Sequence, residues 1–346
     1  MSTLAEGARD AKGEWIPEDL PRPAAPYLRP FKWKEILKYF FSHRGHVASI
    51  ISRRITLTLV VWYFLTPSLE QAATLRVGWI LLIYLRNVAL LTIIAGRLHW
   101  RLYVRKVQGM KYKYTNKWPA TRDKKFMFGN QIWDNVFFSL VSGCGVWTAY
   151  EVLFLWGWGN NIFPMLGLDT HLGLLILITF FVPFYEQAHF YFTHRLIHWK
   201  PLYKIAHHVH HRNINFGPWT GISMHPIEHL IFFSAVLIFL VIPVHPLVVM
   251  MMLLGFGIGP AGGHAGYHKF LRKRDGDEKQ MRELVYWGQG ADFFHHLHHR
   301  FFTVNFGSNN IPLDKWLHTF HDGSPKAQAE MLDRRNAKAM KSRVPT

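Results

Sequence analysis

Five long apolar stretches constrain the fold of this chain more than any other feature of its sequence. They occupy residues 55–69, 77–95, 136–156, 171–185 and 230–258. A helix of about 20 apolar residues spans the hydrocarbon core of a bilayer and satisfies its own backbone hydrogen bonds there. We therefore predict an all-α integral membrane protein.

The first four stretches predict four transmembrane helices, paired as two helical hairpins. The fifth, 230–258, is interrupted by Pro243-Val244-His245-Pro246. Each half has about 12 or 13 residues, or roughly 20 Å of helix, which is too short for a hydrocarbon core about 30 Å thick. We therefore expect a re-entrant helical hairpin that returns to its side of entry. A single kinked helix that crosses the bilayer is the alternative.

The basic residues predict the orientation of these spans. The loop 97–125 carries ten Lys or Arg against one acid, Asp123, whereas the loop 157–170 carries no Lys or Arg. Because Lys and Arg collect on the cytoplasmic side of a membrane, the first loop is expected in the cytosol. The formal net charge of +18 is explained by these flanks, so a nucleic-acid partner is not expected.

The chain is predicted to have four parts. Residues 1–47, rich in proline, form a flexible arm with a surface helix, and residues 48–185 form the four-span region. Residues 186–322 form a cytosolic helical cap with the hairpin 230–258, and residues 323–346 form a polar tail. A charged segment, 269–290, is expected to lie at the surface of the cap.

Four clusters of histidine carry the chemistry of the chain. They are His194-Arg-Leu-Ile-His198, His207-His208-Val-His210-His211, His264-Ala-Gly-Tyr-His268 and His295-His296-Leu-His298-His299. On a helix, spacings of three and four place side chains on one face, so each cluster can present several imidazoles to one point. Chance does not explain such clustering of the 22 histidines.

Ten imidazoles exceed the needs of one tetrahedral zinc ion, but they suit two ions with five or six ligands each. Such a site leaves positions open for O₂ and water. Neutral nitrogen ligands suit ferrous iron, and the scarcity of acids distinguishes the clusters from carboxylate di-iron bundles. The sequence therefore predicts a histidine-rich dimetal site.

In the order and spacing of these motifs, the chain resembles the sterol desaturase and fatty acid hydroxylase superfamily of membrane oxygenases. The resemblance covers residues 184–316 and includes Tyr203, His225-Pro-Ile-Glu228 and Asn305-Phe306-Gly307 between or after the clusters. Members of the superfamily usually end this region with a Trp-Asp pair. Here Trp316 is followed by Leu317, and the acid, Asp314, precedes the Trp. This departure puts the usual role of the C-terminal segment in doubt.

The resemblance implies ten metal ligands: His194, His198, His207, His210, His211, His264, His268, His295, His298 and His299. It also implies residues that orient the ligands by hydrogen bonds. The candidates for that role are His208, His225, Glu228, His229, Asp292 and His296.

The implied activity is hydroxylation or desaturation of a lipid, such as a sterol, fatty acyl or sphingoid chain, with O₂ and two electrons. The expected cofactors are two iron ions, which zinc can replace during purification. No haem, flavin or nicotinamide motif is visible, so we expect a separate reductase or small electron carrier as partner. The site is expected on the cytosolic face of a bacterial inner membrane or endoplasmic reticulum. A histidine-rich metal transporter and a zinc-dependent membrane hydrolase are the alternatives.

Overall fold

The computed structural model describes residues 9–10, 13–17, 32–42, 45–274, 277–284, 291–307 and 311–341, and these are mostly helical. In chain order the longer helices are α1 (Trp33–Phe41), α2 (Ser52–Leu65), α3 (Val77–Val104), α4 (Gln131–Gly159), α5 (Leu168–Ile197), α6 (Pro226–Leu240), α7 (Pro246–Gly263), α8 (Ala291–Phe301) and α9 (Pro325–Lys341). Short helical turns lie at Val47–Ile51, Leu69–Ala72, Met127–Gly129, Lys200–Leu202, Tyr203–His207, His208–His211, Pro218–Thr220 and Leu313–Trp316. The expected helical class is confirmed.

The charged segment 269–290 contains a small β-hairpin in its described part. Strand β1 (Phe270–Arg274) pairs antiparallel with strand β2 (Asp277–Leu284), and Phe270 lies opposite Leu284. The strands therefore form a local feature beside an otherwise helical fold.

Four helices are long and apolar enough to cross a membrane, by length and composition, within the described residues. They are α3, α4, α5 and α7. The first three include the predicted spans 77–95, 136–156 and 171–185. The multi-pass prediction is thus supported by four candidate spans, but one of the four differs from the predicted set.

The predicted first span, 55–69, is the one that differs. Its helix, α2, has 14 residues, and the chain is already extended at Thr66. Pro67 disfavours helical backbone at the residue before it, so the helix ends there. At about 1.5 Å per residue, α2 is about 21 Å long, and the π-helical turn Val47–Ile51 continues it at its N-terminal end. The fourth candidate span is instead α7, with 18 residues.

The stretch 230–258 belongs to a helical hairpin, as predicted, but the hairpin is longer than the sequence suggested. Its first arm, α6, ends in seven residues of 3-10 helix, Ser234–Leu240. A 3-10 helix rises about 2.0 Å per residue, so α6 reaches about 26 Å and α7 about 27 Å. The expectation that both arms are too short to span a bilayer was therefore wrong for α7, which is long and apolar enough to cross, whereas α6 remains a shorter apolar helix. The expectation assumed shorter arms and purely α-helical rise.

Contacts at the two ends of the hairpin show that it runs the length of the helical bundle. At its turn, Val244 accepts a hydrogen bond from Leu166 N in the loop between α4 and α5. At its other end, the imidazole of His264 lies 2.8 Å from that of His295. Both arms thus return to the histidine end, and the alternative of a single kinked crossing is not observed.

Helix α7 occupies the centre of the bundle, and its middle residues, including Met250, Met251 and Met252, are buried. Arg86 of α3, the one basic residue in its predicted span, is also buried and is bonded to Glu151 of α4. Pairing inside the protein removes the cost of facing lipid with a charge.

Candidate metal centre

Nine of the ten predicted ligands converge into two adjacent groups. The first group contains His194, His198, His207, His211 and His298, and the second contains His210, His264, His295 and His299. Within each group the candidate ligand atoms all lie within 4.8 Å of one another. Eight of the nine side chains are buried, and His198 is half-buried. Both groups can hold a metal ion.

Helical spacing explains how one cluster serves both groups. On α8, His295 and His299 are four residues apart and share a face that supplies the second group, whereas His298 points to the first. In the turns Tyr203–His207 and His208–His211, the two histidines four residues apart supply the first group instead. There, His207 and His211 belong to the first group and His210 to the second. Adjacent histidines diverge because each residue turns a helix by about 100°.

Backbone carbonyls fix the tautomer of several of these imidazoles. The Nδ1 of His194 lies 2.7 Å from Phe306 O, that of His264 lies 3.0 Å from Pro260 O, and that of His298 lies 2.7 Å from Val304 O. A carbonyl oxygen only accepts, so each Nδ1 must be the protonated donor. The Nε2 of each of these neutral rings then carries a lone pair that is free to bind a metal.

The Nε2 atoms meet at distances that suit a coordination sphere. His298 Nε2 lies 3.0 Å from His198 Nε2 and 3.1 Å from His211 Nε2. His295 Nε2 lies 2.8 Å from His264 Nε2 and 3.0 Å from His299 Nε2. Two nitrogens at right angles on a metal, with bonds of about 2.1 Å, are about 3.0 Å apart. Lone pairs this close repel unless a cation or a proton lies between them, so the residues fit metal ions.

Burial keeps the imidazoles neutral. It lowers the pKa of His264 from 6.5 to about 4, and burial followed by the charge of neighbouring imidazoles lowers the pKa of His298 and His299 well below 6.5. Protons therefore do not compete with a metal for these nitrogens at neutral pH.

His268 is the predicted ligand that the structure does not bring to either group. Its ring packs 4.7 Å from the ring of Trp15, and its Nδ1 lies 3.5 Å from the hydroxyl of Tyr114. Helix α7 ends at Gly263, and Gly266 has a φ of 77°, so the backbone has left the helical path before His268. The spacing of four therefore does not place His264 and His268 on one face.

Among the predicted orienting residues, Glu228 contacts a ligand directly. Its Oε1 lies 2.6 Å from His207 Nδ1, and both side chains are buried. A carboxylate in this position holds the ring in place and makes its Nε2 more basic. The other oxygen, Oε2, is buried and has no hydrogen-bond partner among the described residues.

The remaining orienting candidates lie elsewhere. His229 bonds Ser142 and the carbonyl of Ile222, and His225 caps the N-terminus of α6. His208 is exposed, and the side chain of Asp292 is outside the described residues. His296 stacks on Tyr114 and lies 3.3 Å from Glu14 Oε2. None of the four described side chains has a hydrogen bond to a ligand imidazole.

Two contributors were missed by sequence reasoning. Asp314 accepts hydrogen bonds from the backbone N–H groups of Phe306 and Gly307 at 2.9 and 2.8 Å, and the carbonyl of Phe306 in turn holds His194. The displaced acid thus supports a ligand from its position before Trp316.

The second contributor is the N-terminal arm, whose described residues pack on the histidine end. Glu14 Oε2 accepts a hydrogen bond from Arg300 of α8 at 2.9 Å, and the indole of Trp15 is buried. Neither residue lies in a recognisable motif. A conspicuous Trp among charges was the available signal.

Comparison with known protein families gives one match. Residues 178–319 match the family model described as Fatty acid hydroxylase. Neither curated proteins nor solved structures gave a match to the chain. The matched range includes all nine converging histidines, Glu228 and Asp314.

Proposed function

We propose that this protein is a membrane di-iron lipid oxygenase. The premise is that residues 178–319 are a fatty acid hydroxylase domain of the sterol desaturase/fatty acid hydroxylase superfamily. The observation that carries the proposal is the convergence of nine buried or half-buried imidazoles in two groups at one end of the candidate membrane helices. Two adjacent nitrogen-rich sites suit a pair of redox-active ions.

Each of the two histidine groups would hold one iron ion. His194, His198, His207, His211 and His298 would hold one iron ion, and His210, His264, His295 and His299 would hold the other. When bound, the irons would supply O₂ activation and oxidation of a substrate C–H bond. Hydroxylation consumes O₂, two electrons and two protons to give an alcohol and water, and desaturation consumes the same reagents to give an alkene and two waters.

The protein's part is to position the ligand rings and to exclude water. Glu228 and the carbonyls of Phe306, Pro260 and Val304 hold ligand rings in fixed orientations. The buried shell around the groups limits access of bulk water to the oxidation. The electrons would come from a separate reductase or small electron carrier, and the substrate would be a sterol, fatty acyl or sphingoid lipid.

The decisive experiment follows isotopic oxygen in lipids. We expect protein purified without oxygen and loaded with Fe²⁺ to contain two irons per chain. In membranes supplied with ¹⁸O₂ and a reductant, we expect a lipid product, detected by mass spectrometry. A hydroxylase gives a product that carries ¹⁸O, whereas a desaturase gives one that lacks two hydrogens.

The control is the His207→Ala/His211→Ala variant, which removes two ligands of one group. Full lipid oxidation by that variant, or by rigorously iron-free protein, would refute the proposal. Activity with zinc but not with iron would favour the alternative of a zinc hydrolase. Metal flux into vesicles without lipid oxidation would favour a transporter.

The histidine end is proposed to face the cytosol, on the strength of the basic loop 97–125. Lys113 of that loop lies 3.2 Å from Asn215, near the histidine groups, whereas Asn160 contacts Ala73 at the other end of the bundle. Reporters fused near Lys113, near His210 and at the C-terminus should therefore all respond as cytosolic, and one near Asn161 should report the opposite side. A C-terminal reporter on the same side as Asn161 would disprove this orientation.

A further inference from the structure

A stripe of exposed apolar side chains on α5 continues to the residues that carry the candidate metal ligands. Leu174, Phe181 and Phe192 are 47, 53 and 57 % exposed. Spacings of 7 and 11 residues return a helix to nearly the same face at about 100° per residue, so the three side chains form one apolar line. The line of exposed apolar side chains on α5 therefore continues to where the helix approaches the histidine groups, and there it is joined by the exposed Arg195.

The line ends in a patch that mixes apolar and basic side chains. We call the residues Phe192, Leu196, Trp199, Lys200, Lys204 and Ile205 the interfacial patch. Leu196, Trp199 and Ile205 are 52, 62 and 54 % exposed, and both lysines are exposed. This composition of Trp, aliphatic residues and Lys is typical of protein surfaces that lie in the headgroup layer of a bilayer.

The charged side chains that residues 187–227 contribute are all basic. Between Glu186 and Glu228 the sequence contains no Asp or Glu, but it contains Arg195, Lys200, Lys204 and Arg212. Lysines near a membrane surface are attracted to anionic lipid, so Lys200 and Lys204 are the basic groups that would bind it, whereas Arg212 is paired with Asp134.

The patch is the outer side of the elements that hold the metal ligands. Trp199 follows His198, which is half-buried. Lys204 and Ile205 are exposed, while His207 of the same helical turn and His211 of the next are buried. A membrane against the patch would therefore bring lipid within one side-chain layer of the first ligand group.

We propose that the interfacial patch lies in the headgroup layer of the bilayer and binds anionic phospholipid, so that lipid reaches the metal centre laterally beside His198. The proposal deepens the proposed function, on which its last clause rests, but the location of the patch is independent of any oxidation. Continuity with the exposed apolar line of α5, which is a candidate membrane span, favours this occupant over a soluble acidic electron carrier.

The single cysteine of the chain makes the test direct. Cys144 is fully buried, so the unchanged protein should take up little thiol-directed spin label. Labels would be placed by Ile205→Cys and Trp199→Cys, with Glu330→Cys on the exposed surface of α9 as control. The proteins would be reconstituted into phosphatidylcholine vesicles with and without phosphatidylglycerol.

Power-saturation measurements then compare collisions of each label with O₂, which concentrates in lipid, and with a water-soluble nickel chelate. We expect the ratio of O₂ to nickel accessibility at 199 and 205 to exceed that at 330 several-fold, and to rise further with phosphatidylglycerol. Lys200→Gln/Lys204→Gln should abolish the phosphatidylglycerol effect, whereas the matched change Lys326→Gln/Arg334→Gln on α9 should leave it intact.

Two outcomes would overturn the proposal. Labels at 199 and 205 that meet nickel as freely as the label at 330, in both lipid mixtures, would place the patch in water. Protection that appears only after an acidic electron-carrier protein is added would assign the patch to protein docking instead. Lipid-like accessibility in a protein that oxidises no lipid would refute the proposed function and leave the membrane contact standing.

Discussion

Changing His264 to Ala should remove one metal ion and nearly all lipid oxidation. Changing His268 to Ala should leave both the metal content and the oxidation largely intact. His264 belongs to the second group and its Nε2 lies 2.8 Å from that of His295, whereas His268 packs on Trp15 outside both groups. Loss of a ligand leaves a gap that water fills without restoring the geometry. Since loss of a mere orienting partner costs about 10–100-fold, we expect at least about 100-fold loss of activity for His264→Ala.

The measurement is iron per chain by elemental analysis, together with the rate of lipid oxidation in membranes. His268→Ala should retain two irons and most of the activity, and it controls for deletion of an imidazole from the same short segment. Loss of iron from His268→Ala, with the fold intact by circular dichroism, would restore His268 to the ligand set and require a rearranged connection after α7.

Glu228→Gln should have the second largest effect. The buried carboxylate of Glu228 bonds His207 Nδ1 at 2.6 Å, and a neutral amide can keep the hydrogen bond while losing the charge. The Nε2 of His207 then becomes a weaker donor to metal. We expect metal affinity or activity to fall by about 10–100-fold.

The sensitive readout is the rate at which a chelator strips Fe²⁺ from the purified protein. The Glu330→Gln variant, with an exposed change on α9, should lose Fe²⁺ to the chelator at the same rate as the unchanged protein. If the charge matters most, Glu228→Asp should recover part of the loss, because it keeps a carboxylate, although at a greater distance from His207. Unchanged stripping by Glu228→Gln would show that the charge of Glu228 contributes nothing to metal binding and that the hydrogen bond to His207 is sufficient.

The structure also changes the interpretation of the departure near the C-terminus of the domain. The pair of a Trp followed by an acid is missing, yet Asp314 binds both backbone N–H groups of Phe306-Gly307 from its earlier position. Burial raises the pKa of Asp314, while its hydrogen bonds to Thr319 and to this turn lower it. The segment therefore still supports a ligand, His194, although by a different local arrangement.

The sequence by itself determined the helical class, three of the four candidate spans and the histidine clusters that form the candidate metal centre. It did so because apolar length and imidazole clustering are local properties, which a chain carries wherever its helices lie. The helical periods of α8 and of the turns at 203–211 even contained the division of their histidines between two faces.

Only the tertiary structure decided which faces meet. The division into five and four ligands depends on α5, α7, α8 and the turns at 203–211 converging, and no spacing encodes that convergence. His268 fell outside both groups because α7 ends at Gly263, and Trp15 and Glu14 reached the histidine end from far along the chain. The longer hairpin likewise depended on a 3-10 segment, whose rise per residue apolar composition does not reveal.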